Sequence, residues 1–166
     1  MHVVLSALNA KYIHKNLALR WLYVSRPVSF DVHIVEGVIR DDPMNTAQRI
    51  LAYRPDVVGL SVYIFNAEET KALIACLLTL MPEVRIILGG PEVTYHPQPW
   101  LELGVEAVVC GEGETVFWDY LQGKSSPSFQ TKNQVSSEIA RIDLGLLETL
   151  ESPYFLELDE ADMDKR

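Results

Sequence analysis

RIILGGPEVTY, residues Arg85 to Tyr95, is the stretch on which the fold of this chain turns. A short apolar run there passes straight into Gly89-Gly90-Pro91, so a strand ends at a sharp turn with no side chain in the way. A flat ligand can rest on such a turn. Outward from it, strand and helix signals alternate in both directions along the chain.

Upstream, His2 to Leu8 (HVVLSAL) reads as a buried first strand ending at Asn9. From Asn16, Leu17, Leu19, Trp21, Leu22 and Val24 keep a helical register that stops before Pro27. Val32, Ile34 and Val35 mark a second strand, and Asp42-Pro43 supplies an N-cap with proline at the first helical position. Val57 to Val62 is a third strand. Ala67 to Met81 is a helix closed by Pro82, with Glu68 and Glu69 in its first turn. Downstream of the opening stretch come a short helical piece around Trp100 to Leu103, a fifth strand at Ala107 to Cys110, and a last amphipathic helix within Glu112 to Leu121.

This order predicts an α/β fold with a doubly wound, Rossmann-like sheet of five parallel strands joined by right-handed crossovers. Ligands in such sheets sit beyond the carboxyl ends of the strands. The loops at 9–15, 63–66, 89–95 and 111–114 are therefore the ones expected to carry the site. After Gly123, KSSPSFQTKNQVSS is polar and aperiodic and reads as a linker. Residues 1–123 form the expected domain, and 124–166 a linker and extended acidic tail, with Ile139 to Leu150 apolar enough to pack back.

Composition narrows the function classes. A length of 166 residues with 48% hydrophobic and 22% charged residues suits one globular unit plus a tail. The formal net charge of -9 repels a phosphate backbone, which argues against nucleic acid as a partner. No membrane span and no secretory leader are legible, and Cys76 and Cys110 make no disulfide framework, so a cytoplasmic protein is expected.

Familiar catalytic signatures are missing. There is no phosphate-binding Gly-x-x-x-x-Gly-Lys loop and no Gly-x-Gly-x-x-Gly after the first strand. Gly111-Glu112-Gly113-Glu114 places two carboxylates where a phosphate wants bare amides, and reads as a glycine turn opening a helix. His2, His14, His33 and His96 show no metal-ligand spacing. Both cysteines and Trp21, Trp100 and Trp118 read as packing residues. A stand-alone hydrolase would have only Glu112 and Glu114 to work with.

What remains is Ser61 and Tyr63 after the third strand, Gly89-Gly90 after the fourth, and a polar first loop. Ser61-Val62-Tyr63, followed about 25 residues later by Leu88-Gly89-Gly90, resembles the Ser-x-Leu and Gly-Gly elements of cobalamin-binding domains. The phrases RPDVVGLSVYIFN, ILGGPEVTY, AVVCGEGE and LSALNAKYIHKNLALRWL are similar to the N-terminal cobalamin (vitamin B12)-binding domain that precedes radical SAM catalytic domains. The resemblance covers about residues 1–123, and Glu151-Ser152-Pro153-Tyr154 resembles the connector to the catalytic barrel.

The resemblance implies cobalamin as cofactor, seated by Asn9, Lys11, Tyr12, Ser61, Tyr63, Gly89, Gly90, Glu92, Gly111 and Glu112. Ser61 and Tyr63 would contact the corrin or its nucleotide tail, Gly89 and Gly90 would allow close approach, and residues 9–12 would line the cobalt side. Relatives that ligate cobalt from below use Asp-x-His-x-x-Gly; that slot here is Asn9-Ala10-Lys11-Tyr12-Ile13-His14, with Lys11 at the ligand position. No axial histidine is therefore expected, and His14 reads as a polar loop residue. The chain has no Cys-x-x-x-Cys-x-x-Cys. An iron–sulfur cluster and S-adenosylmethionine would belong to a C-terminal radical SAM domain of the same polypeptide, making this chain part of a longer enzyme that transfers methyl groups or does related radical chemistry. The alternative is the same fold without cofactor, used as a regulatory or interaction module with Tyr63, Phe65, Tyr95 and Trp100 as a partner surface.

Overall fold

The computed structural model of the protein describes residues 1–12, 15–154 and 156. Strand β1 (His2–Asn9) is buried almost throughout because its residues carry no charge and meet neighbours on both sides. It pairs in parallel with β2 (Asp31–Val38) and with β3 (Val57–Ser61). Strands β4 (Arg85–Gly89) and β5 (Ala107–Val109) extend the parallel sheet beyond β3. The order is β2-β1-β3-β4-β5-β6, so the chain reverses its winding between β1 and β3.

Helices occupy the crossovers where the sequence places them. Helix α1 (Leu17–Val24) is capped by the Asn16 carboxamide, which accepts from the Leu19 amide at 3.2 Å. Helix α2 (Pro43–Leu51) is capped by Asp42, which accepts from the Met44 amide at 2.9 Å, with Pro43 opening the helix. A one-turn 3-10 helix (Ile64–Asn66) leads into α3 (Ala67–Leu80), whose Glu68 and Glu69 meet the positive end of the helix dipole. Helix α4 (Pro91–Tyr95) starts immediately after the glycine pair, so the stretch PEVTY is a helix and not only a turn. Helix α5 (Gln98–Leu101) and helix α6 (Gly113–Leu121) follow.

Two apolar clusters flank the sheet. One, beneath α2, α3 and the α4–α5 segment, runs from Val4 and Ile50 through Val58, Leu73, Leu77, Ile86 and Leu88 to Trp100 and Leu101. The other, beneath α1 and α6, holds Val3, Leu5, Leu19, Val57, Ile87, Val109, Phe117 and Trp118.

The segment after Gly123 departs from the expected linker. Phe129–Gln130 forms β6, antiparallel to β5, so the sheet has six strands and is mixed at that edge. Two residues are too few to show alternation, which is why composition alone hides them. Beyond it, Ala140 bridges Gly111 and helix α7 (Leu144–Thr149) forms with no buried residue. Pro153 accepts from the buried Arg20 guanidinium at 2.6 Å. The acidic stretch 157–166 and His14 lie outside the described residues.

Candidate functional site

The two helices on the second face do not meet along their whole length. The Trp118 indole N–H donates to the Leu22 carbonyl at 3.1 Å and reaches the Ser25 hydroxyl at 3.2 Å, tying α6 to α1. On the N-terminal side of that tie, at Ala18 and Leu19 on α1 and Gly113 and Glu114 on α6, the helices part over a cleft of about 480 Å³. The floor opens for a reason set by strand alternation, since side chains two apart share a face. On this face β3 carries Val57, then Gly59 and Ser61; β4 carries Ile87, then Gly89; β5 carries Val109, followed by Gly111. Three neighbouring strands thus lose side-chain bulk toward their carboxyl ends.

The glycines of this floor have different reasons to be glycine. A Cβ on Gly89 would meet no atom within 4 Å, so its bare surface faces the open cleft. Gly90 has φ +110, and a Cβ there would lie 2.4 Å from the Val62 carbonyl oxygen. Gly111, at φ +105, would meet the Ala140 carbonyl oxygen at 2.3 Å. Gly90 and Gly111 are demanded by backbone packing. At Gly89 no protein atom makes that demand.

Thr94 ties the two turns together. Its hydroxyl donates to the Gly90 carbonyl at 2.9 Å and accepts from the Gly111 amide at 3.1 Å. Asn66, fully buried, does the same for the end of β1 and the loop after β3: its amide nitrogen donates to the Leu8 carbonyl at 3.0 Å and its oxygen accepts from the Tyr63 amide at 2.8 Å. The rim is therefore held by side-chain hydrogen bonds across loops that are distant in sequence.

Of the sequence-predicted residues, Ser61, Tyr63, Gly89, Gly90, Gly111 and Glu112 all line this cleft. Asn9 lines a smaller neighbouring hollow with Lys15, Asn16, Tyr63 and Phe65, and donates to the Glu36 carboxylate at 2.9 Å. Lys11, Tyr12 and Glu92 line neither. Tyr12 is exposed and donates to Asp41, in the turn after β2. No described histidine lines either hollow. His2 and His33 instead bracket Asp31 at 2.9 and 3.2 Å, and these hydrogen bonds, His2 first, hold the Asp31 carboxyl below the usual range. Among the described residues no group of three His, Cys, Asp or Glu side chains is arranged to hold a metal ion. Trp100, expected on an exposed aromatic surface, is buried beside α3, while Tyr95 and Phe65 are exposed.

Sequence reading missed Gly59 and residues 139–141 as contributors. Gly59 lies under Phe117, with 3.0 Å between its ideal Cβ position and the ring. Ile139, Ala140 and Arg141 close one side of the cleft as the chain returns past Gly111. Glu112 accepts from the Ile142 amide at 2.5 Å, which fastens that return. Glu114 turns into the cleft, where burial, with the nearby Glu112 charge adding to it, raises its carboxyl above the usual range. A small residue at every second position near three strand ends was the available signal for the floor; residues 139–141 carry none.

With that geometry in hand, the similarities to known proteins fall into place. The B12 binding domain family matches residues 4–121. The "Uncharacterized methyltransferase PH0819" of Pyrococcus horikoshii is 26% identical over 98 residues, covering 57% of this chain and 21% of that protein. The cobalamin-dependent S-adenosylmethionine radical enzyme OxsB, solved with aqua-cobalamin and S-adenosylmethionine, superposes with a TM-score of 0.64 at 15% identity, over 83% of this chain and 22% of OxsB. Its form with aqua-cobalamin alone gives 0.63 at 14% identity. The chain thus spans about a fifth of these relatives, and at such identity the OxsB likeness speaks for the fold. The match across most of its length shows that the chain belongs to the B12-binding domain family.

Proposed function

We propose that this chain seats cobalamin over the carboxyl ends of β3, β4 and β5 and works as the cofactor module of a larger radical SAM enzyme. The observation that carries this reading is Gly89, whose bare face opens into an apolar cleft although the protein itself does not require glycine there. A planar macrocycle with an amide-rich edge suits such a floor, because apolar walls exclude water while a few rim groups fix orientation. Leu19, Leu22, Ile87, Val109 and Phe117 supply the walls, and the Ser61 and Tyr63 hydroxyls supply rim partners. When bound, cobalamin would supply methyl-transfer or related radical chemistry. The residues of this chain bind it, shield it from water and hold its edge.

Lys11 is exposed and outside the cleft, so the loop after β1 offers no cobalt ligand at that position. The cofactor is held from the floor and rim, and no described histidine lines the cleft. Support for a radical SAM partner domain comes from OxsB, a cobalamin-dependent S-adenosylmethionine radical enzyme of which this chain covers 22%. A methyltransferase-like reaction is supported by the Pyrococcus relative's name.

The test is retention of hydroxocobalamin after desalting, followed by corrin absorbance. Wild-type chain should keep the colour, and Gly89→Phe should lose it while melting near the wild-type temperature, because the added ring enters space that is open in the free protein. A wild-type chain that emerges colourless refutes the proposal. In that case the exposed Tyr95 in the cleft and the exposed Phe65 in the neighbouring hollow favour the cofactor-free interaction module.

A further inference from the structure

Among the described residues, three buried side-chain oxygens lack a hydrogen-bond partner: Ser6 Oγ, Thr46 Oγ1 and Glu114 Oε2. The first two are hydroxyls of residues sealed into the packed sheet and α2. Glu114 differs in charge and in place. It is a carboxyl on the wall of the cleft, and leaving such an oxygen without a donor is far more costly than leaving a hydroxyl.

The surroundings define what is missing. Glu114 sits in the first turn of α6, where backbone amides favour negative charge, and its own backbone N–H gives the carboxyl partial support. The side chain thus already fills the place an anionic ligand group would take. The other charged and titratable groups lining the cleft are Glu112 before α6, Arg141 on the returning segment, Tyr63 after β3 and Tyr95 at the end of α4; α1 presents only Ala18, Leu19 and Leu22. None of these donates to Glu114 Oε2.

We infer that Glu114 is a ligand-recognising residue of the cleft, its carboxylate accepting a hydrogen bond from a neutral donor, an amide N–H or a hydroxyl, of the bound corrinoid. This rests on the reading of the cleft as a cobalamin seat. The donor has two possible sources in that ligand, the amides around the macrocycle and the ribose hydroxyl of the nucleotide tail. Binding turns a poorly solvated carboxyl into a paired one. Affinity therefore depends on its being ionised.

The experiment is a spectrophotometric titration of wild type, Glu114→Gln and Glu114→Ala with hydroxocobalamin and with dicyanocobinamide, which lacks the nucleotide tail, from mildly acidic to neutral pH. Glu114→Ala should weaken hydroxocobalamin binding about tenfold or more, and Glu114→Gln, which keeps one acceptor oxygen, only severalfold. Wild-type affinity should fall as pH drops through the raised carboxyl pKa, and the Gln variant should show no such slope. An equal penalty with cobinamide assigns the donor to the macrocycle; a penalty confined to hydroxocobalamin assigns it to the tail. The inference is overturned if Glu114→Ala, or Glu114→Gln where the alanine variant does not fold, binds within twofold of wild type with an unchanged pH profile. Wild type that binds neither corrinoid refutes the cobalamin seat itself, a different result.

Discussion

The two faces of the sheet carry helices of similar kind and are packed to different ends. Beneath α2, α3 and the α4–α5 segment the apolar cluster is continuous from Val4 to Trp100. Beneath α1 and α6 two helices serve five parallel strands, and where they part the floor shrinks to Gly59, Ser61 and Gly89. The same α/β logic thus gives a sealed face and a gapped one. What separates them is which residues are required by the protein's own atoms and which are spare.

Neighbouring glycines give the sharpest test of that distinction. Gly90→Ala forces a left-handed backbone on alanine and drives its methyl against the Val62 carbonyl, for an expected loss of about 3 kcal/mol or more in urea unfolding. Gly89→Ala adds the same atom in open space and should leave stability within about 0.5 kcal/mol of wild type. Equal losses at both positions would erase the difference between structural and spare glycine.

The faces themselves can be compared by truncating one leucine on each. Leu77 on α3 is fully buried in the sealed cluster, and Leu77→Ala should cost about 2–5 kcal/mol through lost burial and the cavity left behind. Leu22 on α1 is only partly buried beside the existing cleft, so Leu22→Ala should cost about 1 kcal/mol. A Leu22 penalty as large as that of Leu77 would mean the gap is closed in solution.

These contrasts explain what could be read from the chain beforehand. The β-branched runs at His2–Asn9, Val57–Ser61 and Arg85–Gly89 and the Asp42-Pro43 start announce themselves locally, because burial on both faces and capping leave their marks within a few residues. The Gly89-Gly90 turn was legible as a bare strand end, but not that of the two only Gly89 faces open space, since that depends on Val62 from another strand end. Lys11 and Tyr12 follow closely on Asn9 yet line neither hollow, Tyr12 donating to Asp41 instead, and sequence adjacency says nothing of direction. Phe129–Gln130 and the bridge at Ala140 depend on contacts with β5 and Gly111, so nothing in the polar stretch after Gly123 marks them.

Charge offers a smaller contrast between a paired and an unpaired carboxyl. Glu106 accepts two hydrogen bonds from Arg85 at 2.8 Å and one from Tyr120 at 2.8 Å, and the Arg85 bonds hold its carboxyl below the usual range. A depressed carboxyl contributes stability that is present above its unfolded pKa and lost as pH falls through the folded one. Acid titration of stability should therefore be shallower in Glu106→Gln than in wild type. The Tyr120 phenol, pushed up to about 12 first by burial and then by Glu106, acts at the other end of the scale, its contribution fading as pH rises past the ordinary tyrosine value toward 12.

Glu114 should behave in the opposite sense to Glu106. Its carboxyl is raised, first by burial, so its contribution is fully present below the unfolded pKa and lost as pH climbs through the folded value. Above that value the ligand-free domain carries an ionised group that burial disfavours. Glu114→Gln should accordingly stabilise the free chain by about 1 kcal/mol or less, since part of the carboxyl is screened by solvent, with the gain vanishing in mild acid. Thermal melts of both proteins across that range would show it. A destabilised Gln variant would make Glu114 a structural residue of the helix start, and a stabilised one that binds corrinoid less well would mark a group kept for its ligand at the expense of the fold.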